Sequence, residues 1–474
     1  MLKPGANRAY VHGFLMRKSS ALFLCAFCAV LAAVGIGWAW AERQKLAAQS
    51  FDQRRFIVLE AENERLRGVI ATQEKTKARA ENVAQRAQIE KAVTQIRELK
   101  FLHPVTYDVL TRAGIQRTIE GKMREQFSDE EFKNIGIGLA ALGLLPRDYP
   151  LKQKYIELLG EQVAAFYDQH AHKLFMFEDA LLANAQNRIV LAHELTHALQ
   201  DQNFGLLKMP LELKTNDDRA VAASALIEGD ATLAMSQYML QNFSLASVRD
   251  TLSGALLQNM KQLQDAPRYL REMLIFPYLS GQQFCATLLA RGGWSAVSDA
   301  YRNPPSSTAQ ILHPEKFLAE PREEPVAIDF ADTTVNGEKP LADNVLGELG
   351  TRILLSEYVD TQKAEEAASG WCGDRYLVFD HGRALVWITR WKTKEAAERF
   401  CEALKDAQKS RYHAEFNRWG NTDVLESKTG RKIRVLNLPT RGFPNGKLNE
   451  VVLTDVETND WARMLEHSFF PIIL

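Results

Sequence analysis

The 474-residue sequence predicts an α+β fold, mostly helical, set behind an N-terminal apolar segment and a long polar helix. Three observations predict it. Residues 19–41 carry no charge. Residues 42–100 contain no proline and a single glycine, Gly68. From Pro104 onward, helical runs such as ALIEGDATLAMSQYML are interspersed with short strand-like runs such as RYLVFD.

Composition bounds what the chain can be. With 46% hydrophobic and 25% charged residues it is long enough for two or three well-buried domains. A net charge of −1 supplies no global field for a polyanion, so nucleic acid is not an expected partner. The five cysteines form no disulfide framework. Cys25 and Cys28 lie in the apolar run, and a Cys372–Cys401 bridge is open to the chain in an oxidising compartment.

Ser19 to Ala41 spans 23 residues, roughly 34 Å as a helix, enough to cross a bilayer. Lys3, Arg8, Arg17 and Lys18 precede it with no acid among them, whereas Glu42, Arg43 and Lys45 follow it. The charge bias puts residues 1–18 in the cytoplasm and everything after Ala41 outside. Ala39-Trp40-Ala41 resembles a leader-cleavage site, but the run exceeds a usual signal core, which favours an uncleaved anchor at 19–41.

Residues 42–100 predict a helical stalk, ~85 Å long if unbroken. Its seam is poor in the middle, although Leu59 and Leu66 stand one heptad apart, and it offers a surface for self-association. Ile89, Ala92, Val93, Ile96 and Leu99 form a true apolar face near its end. A globular domain follows over 101–320. PVTYDVL predicts a strand, Ser128-Asp129-Glu130-Glu131 a helix start, and VAAFYDQHAHKLFMF a hairpin with His170 and His172 facing solvent in its turn. Two helices come next, one through VLAHELTHALQDQ and one from Asp217 to about Phe243. Pro321 to Pro325 marks a boundary, and 326–474 predicts a smaller α+β module in which Asp374 and Arg375 offer an ion pair.

The HELTH run carries the chemistry. Residues four apart share a helix face, so His193 and His197 can aim ring nitrogens at one ion, with Glu194 one step round as a base. No charge other than Glu194 falls between Ile189 and Gln200, so the helix is expected to be buried. Buried imidazoles and a carboxylate are costly unless satisfied, and a metal satisfies them. The competing reading is a set of hydrogen-bonded core histidines. Zinc needs a third ligand and an open position. Asp201 shares the face but lies ~6 Å further along the axis than His197, so it suits orienting a ligand histidine better than sharing the ion. Glu228 in ALIEGDA, on a separate helix with apolar neighbours, is the better third ligand, with Asp230 as a supporting partner.

VLAHELTHAL followed by ALIEGDA resembles the gluzincin metallopeptidases, whose pattern is HExxH plus a glutamate on a later helix. AFYD, HELTHALQDQ, EGDA and ILHPEKF together resemble a group of poorly characterised bacterial zincin-like proteins, over roughly Pro104 to Leu318. The likeness implies a Zn²⁺ site of His193, His197 and Glu228, with Glu194 as general base and a peptide or protein as substrate. It also implies that the strand Lys173 to Phe177 borders the cleft and aligns an extended substrate. Two features depart from that pattern. Thr232 stands where thermolysin-type members carry an acid, and the aminopeptidase GxMEN signature is absent. A donor for the developing oxyanion is expected from His313, with Tyr278 and Tyr301 as alternatives. The expectation is thus a membrane-tethered, extracytoplasmic zinc metallopeptidase. A non-catalytic envelope scaffold with a peptide-binding domain is the alternative.

Overall fold

Helix α1, residues 81–97, turns Ile89, Val93 and Ile96 inward, all at most 5% exposed. Their four-then-three spacing makes one face, and that face lies in the core. The end of the predicted stalk is therefore part of the globular body. The computed structural model describes residues 64, 65, 67, 81–160, 165–177, 182, 184–244, 263, 265–330, 332–419, 422–439 and 449–469. The apolar segment 19–41 and residues 42–63 of the stalk lie outside them. Among the described residues no helix is long and apolar enough to cross a membrane.

A three-stranded sheet comes next. Strand β1 (Thr106–Leu110) leads into α2 (Arg112–Gln126), α3 (Asp129–Leu142) and α4 (Leu151–Gly160). Ser128 and Glu131 close a capping box at the start of α3, and Gly143 ends it at a φ of 86°. The hairpin forms as β2 (Ala165–Asp168) and β3 (Lys173–Phe177), its turn held by Asp168 accepting from the His170 and Ala171 N–H groups. The sheet order is β1-β3-β2, with β1 parallel and β2 antiparallel to β3. This corrects the substrate-aligning role given to Lys173–Phe177. Strand β3 is central, with both backbone edges already paired, so it has no ladder to offer a substrate.

Helices α5 (Ala185–Phe204), α6 (Asp217–Asn242) and α7 (Arg268–Ala300) make the heart of the domain. Every residue from Ile189 to Asp201 in α5 is buried, as an all-round apolar helix with few charges should be. Two glycines let α6 and α7 touch backbone to backbone. A Cβ on Gly229 would lie 2.1 Å from the Gly281 carbonyl carbon, and one on Gly281 would lie 2.1 Å from the Ala225 oxygen. Short helices α8 (Thr308–Leu312) and α9 (Pro314–Leu318) close this part of the chain.

The C-terminal part is an antiparallel sheet of seven strands with four helices. Its elements are β4 (Ala342–Asn344), α10 (Gly347–Ser356), α11 (Thr361–Ala368), β5 (Trp371–Phe379), β6 (Ala384–Trp391) and α12 (Lys394–Tyr412). They continue with β7 (Phe416–Trp419), β8 (Thr422–Glu426), β9 (Lys432–Pro439), β10 (Asn449–Val456) and α13 (Asn459–Phe469). The order is β4-β5-β6-β10-β9-β8-β7. Alternate residues serve two cores. Tyr376, Val378, Leu385, Trp387, Val451 and Leu453 face the main core, while Leu377, Phe379, Val386, Ile388 and Val452 pack with Trp461 and Leu465 of α13. Burial on both faces explains why β6 is apolar almost throughout. The main core runs without a break from Ile89 to Leu453, so the module shares it with the helical part.

Two expectations for this module fail. Cys372 and Cys401 are both free and buried. Asp374 and Arg375 are neighbours on β5 and point to opposite faces. Asp374 accepts from the Leu346 and Gly347 N–H groups and from both the Trp371 and Trp387 indoles, whereas Arg375 grips Asp343 with two bonds of 2.8 Å.

Candidate metal centre

α5 and α6 bring His193, His197 and Glu228 into one buried cluster. The Nε2 atoms of the two histidines are 3.0 Å apart, and the Glu228 Oε2 lies 3.2 Å from that of His193 and 3.4 Å from that of His197. The rings cross at 88°, which turns both nitrogens towards one point. Tetrahedral zinc with bonds of about 2.0–2.1 Å sets its ligand atoms about 3.3–3.4 Å apart. The triangle is within a few tenths of an ångström of that. Among the described residues this is the one group of His, Cys, Asp and Glu side chains close enough to hold an ion.

The donor set fits a cation for a second reason. Gln200, three residues after His197, donates from Nε2 to the Ile227 carbonyl at 3.0 Å and to Asp230 Oδ2 at 3.1 Å. Its Oε1 therefore faces the His197 Nδ1 at 2.8 Å and accepts from it. Neutral His197 then carries its proton on Nδ1 and presents a lone pair at Nε2. That lone pair and a Glu228 carboxylate oxygen converge on the His193 Nε2, which is repulsive unless a proton on that nitrogen or a cation sits among them; the His193 Nδ1 is buried without a partner. Glu228 Oε1 is buried without a partner, consistent with a carboxylate held for something other than protein donors.

Without an ion, a proton takes that role. Burial pulls the His197 pKa down, but Glu228 and then Glu194 outweigh it and hold the ring up at about 9. Burial leaves His193 below its ordinary value. Glu228 lies below the usual carboxylate range because the two histidines, His197 foremost, overcome its desolvation. Burial pushes Glu194 up to about 8, against the pull of His197 and of the Tyr167 N–H.

Glu194 stands beside the triangle. Its Oε2 accepts from the backbone N–H of Tyr167 on β2 at 2.8 Å. The strand bordering the helix is thus β2, whose open edge faces Glu194. The Tyr278 ring of α7 lies 6.1 Å from that of His193, making it the oxyanion candidate that the fold brings to the cluster.

The other candidates have different tasks. His313 precedes α9 with its Nε2 2.5 Å from Glu348 Oε1 and its Nδ1 3.6 Å from Glu315, so its ring is engaged in ion pairs of the α9–α10 contact. This removes it as the oxyanion donor. Tyr301 donates to Asp230 at 2.8 Å. Asp201 accepts from the Tyr167 hydroxyl at 2.8 Å and the Leu206 N–H at 3.0 Å, and its Oδ2 lies 2.7 Å from His172 Nδ1. It therefore fastens the hairpin to α5 and orients neither ligand histidine. His170 and His172 keep side chains 43% and 66% exposed. Asp230 does support the centre, through Gln200. Reasoning from sequence missed Gln200, although its i+3 spacing from His197 was a usable signal. It also missed Arg97, whose partner Asp230 is 133 residues away.

No ligand atom of the centre reaches the surface freely, since His193, Glu194, His197 and Glu228 are at most 2% exposed. A cavity of about 1210 Å³ lies between α2, α3 and α4 and touches none of them.

Residues 334–445 match the model of a domain family described as a domain of unknown function, DUF8575. The match covers most of the C-terminal sheet and none of the metal cluster. No curated protein matches the chain, and no solved structure does.

Proposed function

We propose that the protein is a zinc metallopeptidase, tethered to a membrane by the segment 19–41, with its folded part on the extracytoplasmic side. The observation that carries the reading is the convergence of three ligand atoms beside a fourth group, Glu194, which does not share their triangle. Zinc held there supplies a Lewis acid and a water acidified towards neutrality. The chain's own groups do the rest. Glu194 takes the proton as the carbonyl is attacked and returns it to the leaving amine. The Tyr167 N–H holds the Glu194 carboxylate in one orientation. Tyr278, whose ring lies 6.1 Å from that of His193, is the proposed donor to the developing oxyanion in place of His313, which is bonded to Glu348. Burial of the cluster keeps bulk water away from the reacting carbonyl.

Burial also favours a second reading. A centre this enclosed suits a non-catalytic envelope protein whose zinc only braces α5 against α6. Structural zinc sites close with four protein ligands, and among the described residues three converge here, which supports the catalytic reading. Glu194→Gln separates the two. It should retain one zinc per chain and lose peptide hydrolysis at least about 100-fold. Zinc binding with no hydrolysis by the unmodified protein across a broad peptide library would favour the scaffold.

A further inference from the structure

Helix α1 ends in a fully buried arginine, and nothing in the proposed chemistry uses it. Arg97, 0% exposed, reaches across the domain to α6 and α7. Its Nε donates to Asp230 Oδ1 at 2.6 Å, and its Nη1 donates to the Ser298 hydroxyl at 3.1 Å and the Trp294 carbonyl at 3.4 Å. Its guanidinium lies 4.6 Å from the Trp294 ring centroid. A buried cation of this kind is expensive to hold and is kept where its geometry matters.

The second oxygen of Asp230 shows what that geometry does. With Oδ1 taken by Arg97, Oδ2 accepts from Gln200 Nε2 at 3.1 Å and from the Tyr301 hydroxyl at 2.8 Å. The Gln200 amide then has acceptors at its nitrogen end only, Asp230 and the Ile227 carbonyl. It cannot flip without setting its oxygen against both. Its Oε1 is thereby fixed on His197 Nδ1, and the imidazole is left with its Nε2 lone pair on the cluster. A flipped amide would put a hydrogen on His197 Nε2, facing the ion.

We propose that Arg97 is a positioning residue of the metal centre: by aiming Asp230 at Gln200 it holds His197 in the one tautomer that can bind zinc. This rests on the reading that His193, His197 and Glu228 take zinc. It also makes α1 part of the centre, so that displacing α1 loosens the ion.

The test is zinc affinity, by competition with a chromophoric chelator, on the whole protein and on Arg97→Met, Gln200→Leu and the double variant. It is read beside the visible spectrum of the Co²⁺ forms and the ¹⁵N shifts of His197. Each single substitution should weaken zinc about 10–100-fold, the usual cost of losing a partner behind a ligand. The double variant should be no weaker than the weaker single, because the two side chains act on one line. The Co²⁺ bands and the His197 nitrogens should shift in all three. Gln200→Leu leaves the Arg97–Asp230 pair whole and carries the test if Arg97→Met does not fold. Folded variants that bind zinc like the wild type, or losses that add, would overturn the proposal. A wild-type chain that takes no zinc would instead overturn the metal reading itself, before any variant is compared.

Discussion

In the proposed reading, Glu194 and Tyr278 are the two side chains on which turnover would depend. In the proposed reaction Glu194 takes the proton and returns it. The Tyr278 ring of α7 lies 6.1 Å from that of His193. Tyr278→Phe keeps the ring and removes the hydroxyl, so kcat should fall about 100-fold with KM and zinc affinity little changed. Steady-state kinetics on one peptide decides it, and an unchanged kcat would exclude Tyr278. The cluster was legible in the sequence because helical spacing alone puts His193 and His197 on one face, and the apolar frame of Glu228 marked a buried acid. His313 misled because a histidine before a proline says nothing about which acid it meets, and Glu348 is 35 residues further on. Arg97 was illegible for the same reason, with 133 residues between it and Asp230.

At the scale of elements, the centre depends on how closely α6 lies on α7. Gly229 follows Glu228 directly and meets the Gly281 backbone with no room for a methyl group. Gly229→Ala should therefore force the helices apart, costing about 1–3 kcal/mol by overpacking. It should also withdraw the Glu228 carboxylate enough to lower zinc affinity at least about tenfold. Thermal unfolding and zinc titration of that variant check both halves. A variant as stable and as tightly metallated as the wild type would show that the crossing does not set the site. The helices themselves follow from apolar period and caps, such as Ser128 with Glu131. Strand order does not. Which of β2 and β3 is the edge depends on where β1 inserts, a pairing between Thr106–Leu110 and Lys173–Phe177 that no local pattern encodes.

Across the whole molecule, the helical part and the C-terminal sheet are joined by buried polar groups as well as by the shared core. Asp218 at the start of α6 accepts from the Thr308 N–H at 3.1 Å and from its hydroxyl, and its Oδ1 occupies the space where a side chain on Gly347 would stand. Burial, reinforced by nearby Asp374 and Glu348, pushes Asp218 up to about 7 despite those bonds. Between an unfolded value of about 4 and that pH, the folded chain keeps a proton that the unfolded chain has released. The stabilisation it brings is whole below about pH 4 and is lost as the pH rises through about 7. Asp218→Asn keeps the acceptor and removes the charge. Its unfolding midpoint should therefore fall less between pH 5 and pH 8 than the wild type's, by a few degrees. Parallel profiles would contradict the assignment. The main core continues on both sides of the PREEP stretch, and this joint was not legible in the sequence, because Asp218, Thr308, Gly347 and Asp374 come from four separate stretches of the chain.

All of this depends on an ion between α5 and α6, and metal analysis of the purified protein tests that most directly. The account predicts one zinc per chain, retained through dialysis and absent from His193→Ala and from Glu228→Ala. A wild-type chain that holds no divalent metal even after incubation with excess zinc would contradict it, and so would zinc that persists unchanged in both variants.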